Sequence, residues 1–275
     1  MVRKIAFQGE MGAFGHTAVD SLFPQDEVMP CITFEDTIAA VQTGTADYAV
    51  VPVENSLYGR IADIHHLLPE SGLFIVAEHF QPIRMCLLGV RGTEISDVKA
   101  VQSLSVALGQ CRSFIKQHGF RTLNAVDTAG SAREVAETGD KSVAAIASRL
   151  AAEIYGLDVL AENVEDAAHN TTRFLVMSRD KQVPSASETI VKTTFVFRVR
   201  NVPAALYKAM GGFATNKINM TKLESYMVDG SFNATQFYAD IEGHPDDEGV
   251  RFAFEELEFF TDYFEVLGVY PKANN

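Results

Sequence analysis

Short apolar runs alternate with helical segments and polar loops through the first two thirds of the chain, and this alternation constrains the fold more than any other feature. Residues 4–8 form a predicted strand, the loop 9–15 follows, and residues 17–23 have a helical pattern. Thr33 is placed to cap the next helix, and residues 47–53 form a nearly continuous apolar strand. Strands of that continuous kind are typically buried on both faces of a parallel sheet. The pattern predicts an α/β fold with a mostly parallel sheet.

The alternation continues in the middle of the chain, but it is interrupted once. A long extended run over residues 78–90 contains Pro82 and breaks the pattern. We therefore expect two α/β lobes, with chain crossovers at that run and near Ala168, and a ligand cleft between the lobes. The elements predicted here are strands at 98–101, 122–126, 142–147 and 157–161 and helices at 105–118, 131–137 and 148–155.

The last third of the chain has a different element order. Residues 180–187 are polar and poor in large apolar side chains, which predicts a linker. Beyond it, Asp229-Gly230 is a hairpin signal between two strand patterns. The predicted order βαββαβ is that of a ferredoxin-like α+β sandwich. Its elements are strands at 193–200, 218–227, 232–241 and 264–270 and helices at 203–216 and 246–261.

Charge and cysteine content argue against several classes of protein. The 275 residues carry 23 basic and 36 acidic side chains, and the net charge of −13 repels nucleic-acid backbones and anionic lipid surfaces. Cys31, Cys86 and Cys111 have neither a disulfide framework nor metal-ligand spacing. His65-His66 has no partner at metal spacing, and we expect it to be exposed. Without a signal-peptide pattern or an apolar stretch of membrane-spanning length, a cytoplasmic protein with no membrane or nucleic-acid partner is expected.

Three polar segments lie at the ends of predicted strands, which is where ligands gather in open α/β sheets. The loop from Gly9 to Gly15 lacks both the GxGxxG and the Walker spacing, and it is also compatible with a tight connection. Glu54-Asn55-Ser56 is equally compatible with a helix cap. The run 169–173, His-Asn-Thr-Thr-Arg, carries donors that suit an oxyanion or a hydroxyl leaving group, although Arg173 is also compatible with a solvated charge at a strand edge.

Several of these segments, in this order, resemble the signature motifs of the prephenate dehydratase family, and the similarity extends from about residue 4 to residue 271. The C-terminal βαββαβ unit is similar to the ACT regulatory domain that these enzymes carry. The segments that carry the resemblance are Pro52-Val53-Glu54-Asn55-Ser56, Ala107-Leu108-Gly109-Gln110-Cys111, Tyr155-Gly156-Leu157, Asn170-Thr171-Thr172-Arg173-Phe174, Asn201-Val202-Pro203-Ala204-Ala205-Leu206 and Asn219-Met220-Thr221-Lys222-Leu223-Glu224-Ser225.

The resemblance implies a two-lobed, periplasmic-binding-protein-like α/β catalytic domain with an interlobe cleft over residues 1–180. A linker over residues 181–192 and an ACT domain over residues 193–275 follow it. The implied activity is that of a lyase of phenylalanine biosynthesis, which converts prephenate to phenylpyruvate, carbon dioxide and water. Because aromatisation drives this reaction, no cofactor or metal is expected. The expected partners are prephenate, L-phenylalanine as an effector, and further copies of the chain in a homodimer or homotetramer.

The resemblance also implies roles for individual residues. Thr172 is the expected catalytic donor, which polarises the leaving hydroxyl by a hydrogen bond because a threonine hydroxyl is too weak an acid to transfer its proton freely. Arg173 either binds substrate or pins the two lobes together, and both roles stay open. Helix N-termini near these loops would add positive charge for a dianionic substrate. The expected substrate-binding residues are Asn55, Ser56, Ser103, Gln110, Thr171 and Arg173. The expected effector-binding residues are Asn201, Ala204, Ala205, Leu206, Leu223, Glu224 and Ser225.

The chain departs from the family pattern at several positions. Gly9-Glu10 stands where the family usually has Gly-Pro, and Leu104-Ser105 stands where it usually has His-Pro. In the ACT motifs, Ala204 replaces a glycine and Tyr226-Met227 replaces Arg-Pro, which puts feedback inhibition by phenylalanine in doubt. Two alternatives stay open: an arogenate dehydratase, whose substrate has an amino group in place of the keto oxygen, and a non-enzymatic sensor of amino acids.

Overall fold

The computed structural model describes residues 2–185, 190–200, 202–227 and 234–274. Contacts within the chain divide it into two compact units, so that the segment 66–78 belongs with the C-terminal part. The first unit comprises Met1–His65 and His79–Phe174, and the second comprises His66–Glu78 and Leu175–Asn275. The predicted division at residues 181–192 stays a prediction, and the strand that opens the C-terminal βαββαβ unit begins inside that segment, at Val191.

Strands and helices alternate along the described chain as the apolar runs predict. In the first unit and the segments that lead out of it, they are β1 (Lys4–Gln8), α1 (Phe14–Leu22), β2 (Glu27–Cys31), α2 (Phe34–Gln42), β3 (Tyr48–Asn55), β4 (Gly59–Arg60), α3 (Ala62–Leu67), β5 (Phe74–Pro82), β6 (Cys86–Gly89), a 3₁₀ turn (Ile95–Asp97), β7 (Ala100–Leu104), α4 (Ser105–Gln110), α5 (Arg112–His118), β8 (Arg121–Ala125), α6 (Thr128–Thr138), β9 (Val143–Ala147), α7 (Arg149–Tyr155), β10 (Asp158–Glu162) and β11 (Thr171–Ser178). Those that follow are β12 (Val191–Val199), α8 (Ala205–Thr215), β13 (Met220–Met227), β14 (Ala234–Glu242), α9 (Glu248–Phe260) and β15 (Thr261–Pro271).

The first lobe of the first unit is built on strands in the order β2-β1-β3-β11. Strand β1 runs parallel to both β2 and β3. Its apolar residues Ile5 and Phe7 and the run Val50-Val51 of β3 are fully buried, as the continuous hydrophobic pattern predicts. Thr33 caps α2 by accepting a hydrogen bond from the Asp36 amide. The polar ends of β1 and β3 therefore emerge together at one edge of this sheet.

The second lobe is built on a separate sheet in the order β10-β6-β9-β7-β8. This sheet is mixed rather than mostly parallel, because β6 runs antiparallel to both β9 and β10 while β7 is parallel to β8 and β9. Helices α4 and α5 cover one face, where Leu87 and Ile146 pack, and α6 and α7 cover the other, where Leu88 and Ala145 pack. The chain enters this lobe between β5 and β6 and leaves it between β10 and β11, at the predicted crossovers.

The second unit contains the predicted order βαββαβ, from β12 to β15. Its strands lie in the order β13-β14-β12-β15-β5, and β12 is antiparallel to both β14 and β15. Phe195 and Phe197 of β12 form an aromatic core with Phe213 of α8 and Phe254 of α9. The alternation of large apolar residues in β12 therefore places one face of the sheet against both helices.

The structure corrects several predicted boundaries. Helix α1 begins at Phe14 rather than at residue 17. The single helix predicted over 105–118 is two helices, because Cys111 leaves helical geometry between α4 and α5. Helix α8 begins after Ala204, whose φ of 61° is incompatible with a right-handed helix. His65 is not exposed but buried, with its Nε2 atom 2.9 Å from the Val53 carbonyl. The predicted turn Asp229-Gly230 lies outside the described residues.

Candidate functional site

A cavity of about 560 Å³ in the first unit brings together predicted site residues from three separate parts of the chain. Asn55 lies at the end of β3, Gln110 at the end of α4, and Thr172 near the start of β11. All three line the cavity. Its size suits a small organic substrate.

The Asn55 side chain is the centre of a hydrogen-bond network at one wall of the cavity. Its Oδ1 atom accepts hydrogen bonds from the backbone amides of Leu57 and Tyr58, at 3.0 and 3.2 Å, and so forms the turn after β3. Its Nδ2 atom lies 2.8 Å from Asn170 Oδ1, 3.3 Å from the Thr171 carbonyl oxygen and 3.0 Å from Thr172 Oγ1. One side chain therefore both shapes the turn and contacts the predicted catalytic hydroxyl.

Ser56 and Thr171 join the same two segments but do not line the cavity. The Ser56 hydroxyl donates to the His169 carbonyl at 3.1 Å and accepts from the Thr171 amide at 3.0 Å. The Ser56 amide in turn donates to the Thr171 carbonyl at 2.9 Å. The end of β3 and the start of β11 are thus held together by side-chain and backbone bonds, and this fixes the position of Thr172.

Arg173 and Ser103 are buried away from the cavity lining. The Arg173 guanidinium, with only 3% of its side chain exposed, donates to Glu54 Oε1 at 2.9 Å and so links β11 to β3. The Ser103 hydroxyl is fully buried in β7 and donates to the Ile146 carbonyl of β9 at 2.6 Å. In this structure, both side chains tie neighbouring strands together.

Gln110 presents its amide to the cavity. Its side chain is 8% exposed, and among the described residues it makes no hydrogen bond. Its backbone carbonyl accepts from the Asp166 amide at 2.7 Å, which fixes the end of α4. Gly109 lies beneath the Tyr58 hydroxyl, and a β-carbon there would come within 3.1 Å of that oxygen. The Gln110 amide is therefore available to a ligand, and Tyr58 lines the same cavity.

Several charged and polar residues of the cavity were not predicted from the sequence. Arg60 of β4 and Asp63 of α3 line it, as do Asp127 and Thr128 at the start of α6. Asp127 caps α6 through a 2.6 Å bond from the Gly130 amide to its Oδ1 atom. A signal was present in the sequence, because Asp127 precedes a helical pattern directly after a strand. The N-termini of α1 and α2, at Phe14 and Phe34, also border the cavity and add partial positive charge.

A second cavity of about 580 Å³ adjoins the first and shares Gln8, Gly9 and Asp127 with it. Its lining includes the ion pair between Glu10 of the first loop and Arg133 of α6, with Nε and Oε2 2.8 Å apart. The same loop also accepts a hydrogen bond from Ser148 at the Gly12 carbonyl, at 2.6 Å. The first loop is therefore anchored to the second lobe between the two cavities.

The predicted effector residues lie on two elements of the second unit. Ala204 precedes α8, Ala205 and Leu206 open it, and Leu223, Glu224 and Ser225 lie on β13, which ends the order of strands in this unit's sheet. Leu223 is 42% exposed, and Glu224 pairs with Lys222 at 3.3 Å. Asn201 lies outside the described residues.

Metal-binding and nucleophilic groups are the remaining candidates for chemistry near the cavity. Within the ranges described, no group of three or more His, Cys, Asp or Glu side chains is arranged to hold a metal ion. Across the same ranges, no helix has the length and apolar character to cross a membrane.

Cys111, next to Gln110, is fully buried, and burial raises the pKa of its thiol to about 12. A thiol with that pKa is a poor nucleophile near neutral pH.

Comparison with known proteins gives a consistent result. The sequence profile of the prephenate dehydratase family matches residues 5–182. A bifunctional N-acyl-homoserine lactone acylase/prephenate dehydratase from Komagataeibacter europaeus is 50% identical, over 98% of this chain and 96% of the relative. An arogenate dehydratase/prephenate dehydratase from Arabidopsis thaliana is 39% identical, over 98% of this chain and 72% of the relative.

A solved structure gives the same result at the level of the fold. The prephenate dehydratase from Arthrobacter aurescens, in complex with L-Phe, superposes with a TM-score of 0.89 at 30% identity. The superposition covers 98% of this chain and 90% of that one.

Proposed function

This chain belongs to the prephenate dehydratase family, and on that premise we propose that it converts prephenate to phenylpyruvate, carbon dioxide and water. In this reaction the bond to the ring carboxylate breaks, and its electron pair enters the ring. The bond to the ring hydroxyl breaks in turn, and the hydroxyl leaves as water after gaining a proton that comes ultimately from solvent. The observation that carries the proposal is that Asn55, Gln110 and Thr172 line one cavity.

Thr172 is the proposed donor to the leaving hydroxyl. Its side chain is 7% exposed and lines the cavity. A threonine hydroxyl holds its proton too tightly to act as a free acid, so its contribution is a hydrogen bond that strengthens as charge develops on the leaving oxygen. A donor that is already oriented costs no reorganisation at the moment of reaction.

Gln110, Arg60 and the helix ends are the proposed binders of the two substrate carboxylates. Gln110 lines the cavity with no hydrogen bond from its side chain to the described residues, and Arg60 supplies a cation in the same lining. The N-termini of α1, α2 and α6 add partial positive charges. These local donors offset the net charge of −13, which repels a dianion.

Ser56, Ser103, Thr171 and Arg173 have proposed roles that support the site. Ser56 and Thr171 hold the end of β3 against the start of β11, and Arg173 does the same through Glu54. Ser103 joins β7 to β9 by a hydrogen bond, and β7 leads directly into α4, which carries Gln110. An Arg173→Lys variant tests this assignment, because its effect should fall on thermal stability and on kcat together rather than on KM alone.

Arogenate is the second candidate substrate, and two acidic residues of the cavity favour it. Asp63 and Asp127 line the cavity, and either carboxylate can pair with the ammonium group that replaces the keto oxygen in arogenate. The Arabidopsis thaliana relative carries both activities in its name. The product of this reaction is phenylalanine itself.

An amide-hydrolysing activity toward N-acyl-homoserine lactones is a third candidate. The Komagataeibacter europaeus relative carries this activity in its name. The cavity lining also contains apolar side chains that an acyl chain could contact. They are Phe14, Phe34, Ile61, Ile83, Met85, Val106 and Phe174.

The experiment that tests the proposed function offers the purified protein each substrate separately. Prephenate should give phenylpyruvate, and arogenate should give phenylalanine if the acidic residues accept its ammonium. Release of homoserine lactone from an N-acyl derivative is followed in a third reaction. No product in any of the three would overturn the enzyme assignment and favour a non-enzymatic sensor.

For the second unit we propose an ACT regulatory domain that binds L-phenylalanine in a homodimer or homotetramer. The order βαββαβ supports it, as does the L-Phe complex of the Arthrobacter aurescens relative. Ala204, which stands where the family usually has glycine, has a left-handed φ of 61°, so its methyl group sits at the start of α8 under strain. Titration calorimetry with phenylalanine tests the proposal, and absence of heat would remove the effector while leaving the enzyme assignment intact.

A further inference from the structure

The orientation of the Asn55 amide is determined by its neighbours. Two backbone N–H groups, of Leu57 and Tyr58, point at one of its terminal atoms, so that atom must be the oxygen. The other terminal atom faces the Thr171 carbonyl oxygen, which can only accept, so it must be the nitrogen. A flipped amide would place donor against donor and acceptor against acceptor.

The direction of the hydrogen bond between Asn55 and Thr172 follows from that orientation. Asn55 Nδ2 can only donate, so Thr172 Oγ1 accepts this bond at 3.0 Å. Among the described residues, no other side chain or backbone group bonds to the Thr172 hydroxyl. The Thr172 hydroxyl proton is therefore not donated to any described protein group, and it remains available to a ligand in the cavity.

Asn55 itself has no hydrogen-bonding capacity left for a substrate. Both lone pairs of its oxygen are directed at the amides of Leu57 and Tyr58. Its two amide protons are shared among Asn170, Thr171 and Thr172. Although Asn55 lines the cavity, its polar atoms are committed to the protein.

We propose that Asn55 is a positioning residue that sets the polarity of the Thr172 hydroxyl, so that the hydroxyl donates into the cavity rather than back into the protein. The inference rests on the proposed dehydration and says how its donor is oriented. Asn55 acts through Thr172 and makes no contact of its own with the reacting atoms.

Asn55→Asp tests this polarity with almost no change in shape. An aspartate oxygen still accepts from Leu57 and Tyr58, but a carboxylate cannot donate to Thr172, which then turns its proton toward that carboxylate. The variant should keep its fold, because Asn170 Nδ2 is buried without a partner in the wild type and can donate to the new carboxylate after its amide rotates.

For Asn55→Asp we expect kcat at pH 8 to fall by about a hundredfold while KM stays within about threefold, since one oriented donor is lost from the transition state. Between pH 8 and pH 5 the neutral fraction of an ordinary aspartic acid rises about a thousandfold, and a neutral acid can donate to Thr172 again. Because about 7% of such an acid is neutral at pH 5, the deficit relative to wild type should shrink several-fold on acidification. Asn55→Ala, which has no donor at any pH, serves as the control and should show a constant deficit.

Each outcome of these assays bears on the assignment. Wild-type kcat in Asn55→Asp at pH 8, or a deficit that is the same at pH 5 and pH 8, overturns the proposed polarity. A wild-type protein that turns over neither prephenate nor arogenate overturns the proposed dehydration instead, and the inference falls with it.

A second measurement does not depend on the folding of Asn55→Asp. In ¹⁵N-edited NMR spectra of the protein, Thr172→Val should move one of the two Asn55 amide protons upfield, because that proton loses its acceptor. The matched control Thr128→Val, which changes another threonine of the cavity lining, should leave both protons in place. Unchanged shifts of both Asn55 protons in Thr172→Val would contradict the assigned hydrogen bond.

Discussion

His16, on the buried side of α1, ties the first loop to the first lobe. Its Nδ1 atom accepts a hydrogen bond from the Gly12 amide at 3.0 Å, and its ring stacks on Phe7 with centroids 5.3 Å apart. Burial lowers the pKa of His16 from its ordinary value of 6.5, and the neighbouring Asp20 carboxylate only partly offsets this. The neutral ring is the form that the fold requires, because a protonated Nδ1 cannot accept the Gly12 bond.

This residue predicts a loss of stability in mild acid. Because the folded-state pKa lies below the unfolded-state value, the stability contributed by His16 is complete above pH 6.5 and is lost as the pH falls toward and through the folded-state pKa. Urea unfolding at pH 7.5 and 5.5 should show a larger decrease for the wild type than for His16→Gln, which does not titrate. Equal decreases in the two proteins would show that His16 binds its proton equally well in the folded and unfolded states, so that folding does not lower its pKa.

At individual residues, the sequence predicts features that depend only on neighbouring residues, such as helix caps. Thr33 caps α2 as its position before a helical pattern indicates. The left-handed conformation of Ala204 could not be predicted, because alanine has no preference for it and only the packing of the chain imposes it. The sequence also could not predict that every hydrogen-bonding group of the Asn55 amide is occupied. Its partners are set by tertiary structure or by the geometry of one turn.

At the scale of elements, the first loop packs against α7 with no room to spare. Gly12 has a φ of 87°, and a β-carbon there would lie 2.7 Å from the Ala151 Cα atom. The loop connects the β1 strand end to α1 and borders both cavities through Gly9. Its position therefore depends on the absence of a side chain at Gly12.

Gly12→Ala should lower the free energy of unfolding by about 3 kcal/mol, of which about 1–2 kcal/mol is backbone strain and the rest steric overlap. Gly119→Ala is the matched control, because Gly119 has a φ of 68° and open space around it, and it should cost only the strain of about 1 kcal/mol. Urea unfolding of the two variants measures the difference. Equal losses would mean that the loop yields freely to the added methyl group.

The sequence predicts the strands and helices themselves better than the contacts between them. The strand runs and the polar strand ends were predicted, and the end of β3 and the start of β11 are in contact through Ser56 and Thr171. That Ser103 and Arg173 tie strands together was not evident, because a pattern does not say which face of a strand a polar residue occupies. The break at Cys111 also escaped prediction, because an isolated glycine such as Gly109 within a helical pattern does not by itself end a helix.

At the scale of the whole molecule, the segment 66–78 belongs with the C-terminal part although it lies far from it in sequence. Lys192 of β12 pairs with Glu78 of β5 at 3.0 Å, with 8% and 0% of the two side chains exposed. Glu78 also accepts from the Ala273 amide at 3.1 Å. No local sequence pattern predicts such a contact between distant segments. The division of the chain into these two units could therefore not be predicted from the composition of the linker alone.

Lys192→Met should destabilise the second unit by about 3–5 kcal/mol, because it removes the Lys192 ammonium from the buried Glu78 carboxylate. Lys4→Met, which removes an exposed pair with Glu27, is the control and should change stability by at most about 1 kcal/mol. Thermal unfolding measures both. If Lys192→Met and Glu78→Met/Lys192→Met lose the same stability, the charge of the buried Glu78 carboxylate is not the cause of the loss.

We propose that the Thr172 hydroxyl, which lines the cavity, assists departure of the substrate hydroxyl. The most direct measurement is kcat with prephenate for Thr172→Val, which keeps the shape and removes the hydroxyl, beside Thr172→Ser, which keeps the hydroxyl. We predict a fall of about 10²- to 10⁴-fold for valine and less than about tenfold for serine, with both variants folded. Turnover of prephenate by Thr172→Val at the wild-type rate would contradict the role proposed for the Thr172 hydroxyl.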